Sequence, residues 1–167
     1  MGDSDSKIRK TGTAPRRTLK RRLFQLWFLL SRPLTMGARA IVTDEKERVL
    51  LVRHTYLPGW TFPGGGVERH ETAEECIRHE LEEEAGIILT ARPELFALYS
   101  NRAVFPGDHV ALYLVAPGTY ERHAWAPNRE IAEARFFAPD ALPRDITPGA
   151  ARRLREVREG ARPDPEW

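Results

Sequence analysis

From residue 37 onward the chain alternates short apolar runs with two stretches of helical spacing. Residues 37–42 and 49–53 are rich in Val, Ile and Leu and flank Asp44-Glu45-Lys46-Glu47, which predicts two strands joined as a hairpin. Residues 87–90, 95–100, 109–115 and 132–137 predict four more strands, the last closed by Pro139. Between Thr72 and Gly86 the period becomes that of a helix: at roughly 100° per residue, Ala73, Cys76, Ile77 and Leu81 share one stripe. Thr72 and Glu75 have the spacing of a capping box, and Gly86 sits where a helix stops in the left-handed conformation. Residues 147–159 predict a second helix, with Ala151, Leu154 and Val157 inward and Arg152, Arg153, Arg155 and Arg158 outward. Strands interleaved with helices predict an α/β layered domain with a mixed sheet over residues 35–160, followed by a tail at 161–167.

Before that domain the pattern differs. Residues 1–17 are polar and basic and predict a disordered tail. Residues 18–32 predict an amphipathic helix with a basic start and a dense apolar end, stopped before Pro33. It is too short to span a bilayer, which needs about 20 apolar residues. Its leading reading is packing on the body or on a second copy of the chain as a homodimer; peripheral membrane contact through residues 19–30 is the weaker reading.

Charge sharpens the division. The net charge of +2 is the sum of +7 in residues 1–32 (nine Lys or Arg against Asp3 and Asp5) and −5 in the remainder (17 basic, 22 acidic). An acidic body with a basic arm is not the profile of a duplex-DNA reader. One cysteine excludes an internal disulfide framework and fits a reducing, cytoplasmic compartment. Cys76, on the apolar stripe, reads as core.

The polar positions of the first helix carry the chemistry. Glu80, Glu83 and Glu84 fall on the apolar stripe, whereas Glu74, Glu75, Arg78 and Glu82 point away. Inward carboxylates repel and lose hydration unless a cation compensates them. Oxygen ligands so grouped suit a hard divalent ion such as Mg²⁺. Just before the helix, residues 57–66 hold two prolines and four glycines, a specifically looped backbone whose carbonyls could add a ligand. Trp60, Phe62, Tyr99, Phe105 and Tyr113 could stack a nucleobase, although each is more often core packing. His54, His70, His109 and His123 lack the close pairing of a zinc site and receive no role.

This spacing resembles the signature of the Nudix hydrolases. The matching positions are Gly65, Glu71, Glu80, Leu81, Glu83-Glu84, Gly86 and Ile87, with His79 where the family has arginine. The resemblance implies a Nudix-type α/β/α sandwich preceded here by the basic amphipathic helix. It also implies a Mg²⁺-dependent pyrophosphohydrolase, with Mn²⁺ as a substitute, that cleaves a diphosphate linkage in a nucleoside diphosphate derivative. It makes Glu80, Glu83, Glu84 and the Gly65 carbonyl the metal ligands, with Glu71 supporting that shell. The base is Glu80 or Glu83 among the box residues, or Glu130 or Asp108 from a loop. Residues binding the rest of the substrate are not readable. His79 is spaced to reach Glu75 or Glu83 along the helix. The alternative reading is a catalytically silent Nudix-fold module that binds a nucleotide or partner.

Overall fold

The computed structural model describes residues 34–167; the expected basic tail and amphipathic helix lie outside the described residues. Eight strands and two helices follow in the order β1 (Thr35–Val42), β2 (Val49–His54), β3 (Trp60–Thr61), α1 (Ala73–Ala85), β4 (Ile87–Leu89), β5 (Glu94–Ser100), β6 (Asp108–Val115), β7 (Tyr120–Arg122), β8 (Ile131–Phe137) and α2 (Pro148–Glu159). Among the described residues, each predicted strand and helix is present within a few residues of its expected bounds; β3 and β7 are too short to show a period in the sequence.

The expected hairpin between residues 37–42 and 49–53 does not form. β1 instead pairs in parallel with β6, which continues antiparallel to β5. β2 lies in a second sheet between β3 and β8, and β4 pairs with β7. The physical reason lies at the other edge of β1, where the glycine loop takes the place of a partner strand. Ala38 N–H donates to the Gly65 carbonyl (2.9 Å) and Ala40 N–H to that of Pro63 (3.0 Å). The 44–47 turn still closes locally, with Asp44 accepting from the backbone N–H of Lys46 and Arg48.

Alternation along β1 and β2 feeds two cores. Ala38, Ala40, Val42 and Leu50 pack against Cys76, Ile77 and Leu81 of α1. Ile41, Val49 and Leu51 face the other way, toward Ala150 and Leu154 of α2. Helices therefore cover opposite faces of the strands, an α/β/α sandwich. Ile77 and Leu81 are fully buried, each contributing about 2–3 kcal/mol of apolar transfer. α1 is held at both ends: Thr72 and Glu75 close the capping box, and Gly86 (φ 65°) is the left-handed stop.

One expectation about the last helix is corrected. Arg153 is buried rather than outward, with 1% exposure. The tail at residues 161–167 runs as a strap along β5. Ser100 N–H donates to the Pro165 carbonyl, and Trp167 N–H donates to the Ser100 carbonyl. Arg153 bonds the Glu166 carbonyl and the Glu156 carboxylate, and its guanidinium stacks over Tyr99. The buried arginine ties helix, sheet and strap together, which is why helical periodicity alone misplaces it. Among the described residues no helix is long and apolar enough to cross a membrane.

Candidate active site

The site forms where the glycine loop passes the C-terminal half of α1. Gly64 has φ 137°, and a Cβ there would press on the Ala38 carbonyl and the Arg39 Cα. A Cβ on Gly65 would collide with the Glu80 carboxylate. Only side-chain-free backbone can run between β1 and α1 at this distance. The loop thereby becomes a thin partition with carboxylates against it.

The three box glutamates are not equivalent. Glu84 is buried, with 7% exposure, and its Oε2 accepts from Gly64 N–H at 2.7 Å. Glu80 is half-buried against Gly65. Glu83, expected on the inward stripe, is exposed. It lies roughly 120° around the helix from Ile77, at the margin of the stripe, where no element covers it. Its backbone carbonyl is what the fold uses, accepting from Trp125 Nε1 at 2.9 Å.

Burial pushes the Glu84 carboxyl up to about 7, against the Gly64 N–H and the Arg39 charge, while the charges of Glu80 and Glu130 push the same way. Glu80 is raised too, first by burial and then by Glu83, Glu130 and Glu71, with Arg39 opposing. Burial lowers the proton affinity of His54, which lies on β2 with its Nε2 3.9 Å from Glu84 Oε1. Burial also pushes the Cys76 thiol up to about 12, in keeping with a core role. Negative charge thus accumulates in a pocket with little protein cation to meet it.

Among the described residues no three His, Cys, Asp or Glu side chains converge as a ready-made metal cage. Magnesium rarely uses such a cage: it keeps several waters and takes one or two carboxylates plus substrate phosphates. The donor set here, Glu84 and Glu80 beside backbone carbonyls, fits that habit. The Gly65 carbonyl already accepts from Ala38 N–H, and a carbonyl oxygen retains a second lone pair.

The remaining candidates separate clearly. Glu71 accepts from Glu68 N–H and sits 3.6 Å from His79 Nδ1, so His79 turns to Glu71 rather than to Glu83. The charge of His79 also reaches Glu75, whose own carboxyl is held down first by the Thr72 N–H. Glu130 joins the acidic pocket through its field on Glu80, Glu84 and His54. Asp108 does not; it bonds Thr35 and Asn101 in a neighbouring cleft. Trp60, Phe62, Tyr99 and Tyr113 are core, leaving only Phe105 of the aromatic candidates exposed.

That cleft, about 650 Å³, borders Gly65 and is walled by Arg39, Asn101, Val104, Asp108, Arg152 and Trp167. The sequence pattern gave no role to His54 and did not mark Arg39 or Trp167. Arg39 sits among apolar strand residues, a mild anomaly; nothing in the pattern marks Trp167.

Comparison with known proteins decides the family. The NUDIX domain model matches residues 33–157. The chain belongs to the Nudix hydrolases. It is 33% identical over 101 residues to the 8-oxo-dGTP diphosphatase of Escherichia coli K12, spanning 58% of this chain and 75% of that one. Among solved structures, the MutT Nudix hydrolase of Burkholderia pseudomallei is 26% identical at a TM-score of 0.60, covering 74% of this chain and 97% of the other. A Nudix hydrolase from Nitrosomonas europaea is 26% identical at a TM-score of 0.63, with 77% and 74% covered. The Nudix fold and the pyrophosphohydrolase class of the sequence reading both stand.

Proposed function

We propose that this Nudix hydrolase cleaves the diphosphate linkage of a nucleoside diphosphate derivative in a Mg²⁺-dependent reaction, releasing two phosphate-bearing fragments. The observation that carries the reading is Glu84: a buried carboxylate with one N–H partner, beside a second carboxylate packed on a glycine loop.

Glu80 and Glu84 would hold the ion, with the Gly65 carbonyl adjoining and Glu83 at the solvent rim. When bound, a divalent ion neutralises phosphoryl oxygens and lowers the pKa of a coordinated water. Gly64 N–H fixes one oxygen of Glu84, leaving Oε1 directed toward His54 and the pocket. Glu80 or Glu83 is the box carboxylate proposed to accept a proton from water. Glu130 is the loop carboxylate able to share that task. Glu71, pinned by Glu68 N–H, braces the loop before the helix. The adjacent cleft supplies the volume for the nucleoside part.

Nucleoside triphosphates are the first class to assay, because the Escherichia coli relative is named an 8-oxo-dGTP diphosphatase. Nucleotide sugars, dinucleoside polyphosphates and capped RNA complete the screen, each with Mg²⁺ and with Mn²⁺. Turnover of one class to two phosphate-bearing products is the expected result. Failure of every diphosphate-bearing compound with both ions would overturn the proposal.

A further inference from the structure

Arg39 lies on β1 in the wall of the cleft, whereas its neighbours Ala38 and Ala40 pack toward α1. The Gly64 backbone passes close to it: a Cβ on Gly64 would lie 2.9 Å from the Arg39 Cα. Its Nη1 is buried and has no hydrogen-bond partner, and it forms no ion pair among the described residues. A buried guanidinium N–H left open in this way is costly unless an anion completes it.

The other charged groups of the cleft each have a partner in the chain, and Arg152 is exposed. Arg152 donates to the Trp167 carbonyl, and Asp108 accepts from Thr35 and Asn101. The charge of Arg39 nevertheless reaches through the loop, opposing the burial of Glu80 and Glu84 alike. Arg39 thus both lines the cleft and acts by its charge on the two carboxylates.

We infer that Arg39 is the substrate-positioning residue of the cleft, its free Nη1 holding a non-bridging phosphoryl oxygen of the bound diphosphate. Without substrate and metal it is the cation that shields the acidic pocket. This rests on the proposed reading of Glu80 and Glu84 as the metal ligands. Its consequence is a pair of opposed effects: removing the charge favours a metal ion in the pocket but disfavours a diphosphate in the cleft. A merely structural arginine gives no such opposition.

The test uses Mn²⁺ alone, followed by electron paramagnetic resonance, and non-hydrolysable imidodiphosphate titrated at saturating Mn²⁺. Arg39→Met should tighten Mn²⁺ by roughly fivefold, the effect of losing one like charge at short range. The same variant should weaken imidodiphosphate by about tenfold or more, the worth of a charged hydrogen bond. Arg39→Lys should recover most of the second loss. Arg39→Gln repeats the comparison with a polar neutral side chain should the methionine variant not fold. If both affinities are unchanged, or fall together, Arg39 is cleft packing and the inference is wrong. Glu84→Gln serves as the separate control: Mn²⁺ binding that survives it overturns the metal assignment without bearing on Arg39.

Discussion

The fold buries one charged side chain from each helix, and it treats the two in opposite ways. Arg153 of α2 is closed off by partners from its own chain: the Glu156 carboxylate, the Glu166 carbonyl and the faces of Tyr99 and Trp167. Only its Nε lacks a hydrogen bond. Glu84 of α1 has the Gly64 N–H, a histidine 3.9 Å away and a cation behind a glycine loop. A buried charge serving structure is compensated where it stands. Under the proposed reading, one serving chemistry is left short, so that a cation from outside completes it. On this view α2 carries the molecule's strut and α1 its socket.

The largest effect should come from emptying the socket. Glu84→Gln should reduce turnover by roughly 10³-fold, because a metal's charge stabilisation is worth several kcal/mol, while circular dichroism shows the fold intact. Glu83→Gln, at the rim, should lose less; an equal loss would show that exposure in the free protein does not rank the ligands. Removing the strut should do the reverse. Arg153→Met should cost about 1–3 kcal/mol of stability in urea unfolding, because half-buried Glu156 loses its charged partner and keeps only the Tyr99 hydroxyl and the Asp164 N–H, with Mn²⁺ affinity of the folded protein unchanged. If it weakens metal binding instead, the two charges are not independent devices. Trp167→Ala should cost about 1–2 kcal/mol through lost stacking on Tyr99 and Arg153, read by the same unfolding curve.

The smallest effect concerns His79. Arginine gives a permanent charge where histidine loses its own near neutrality. His79→Arg should raise turnover by less than tenfold, with the larger gain at alkaline pH, because its partner Glu71 touches the site only through the loop. Superimposed pH–rate profiles would make the departure from the family signature silent.

Much of α1 was legible in the sequence because its information is local. The capping box, the apolar stripe and the terminal glycine all lie within fifteen residues and act through helix geometry alone. What failed was non-local. The Val- and Ile-rich pattern of residues 37–42 reads the same whether its partner is six residues on or, as found, β6 some 70 residues away. A helical wheel placed Glu83 with Cys76, but it cannot show that the structure covering Cys76 ends before Glu83. Arg153 and the strap were hidden for a related reason: an arginine in an arginine-rich helix looks solvated until Tyr99, Glu156 and Trp167 are seen around it. The glutamates as a group were readable because three carboxylates coincided with apolar spacing. Arg39, which faces them, was a lone charge in a strand and carried no pattern of its own.

The central claim is that Glu84 awaits a cation, and the pH dependence of stability tests it directly. Its carboxyl titrates at about 7 in the folded protein against an ordinary value of 4.5. Between those values the folded state holds a proton that the unfolded chain has released, so unfolding gains as pH rises. The contribution of Glu84 to the stability of the metal-free protein should therefore fall from pH 4.5 to about 7 and level off above, a loss of roughly 3 kcal/mol at most. Saturating Mg²⁺ should restore it at pH 8 and do little at pH 5. Urea unfolding of wild type and Glu84→Gln across that range, with and without Mg²⁺, isolates the contribution. Glu84→Gln should be more stable than wild type at pH 8 without metal and should not be stabilised by Mg²⁺. Curves for the two proteins that coincide at every pH, with equal stabilisation by Mg²⁺, would contradict the central claim.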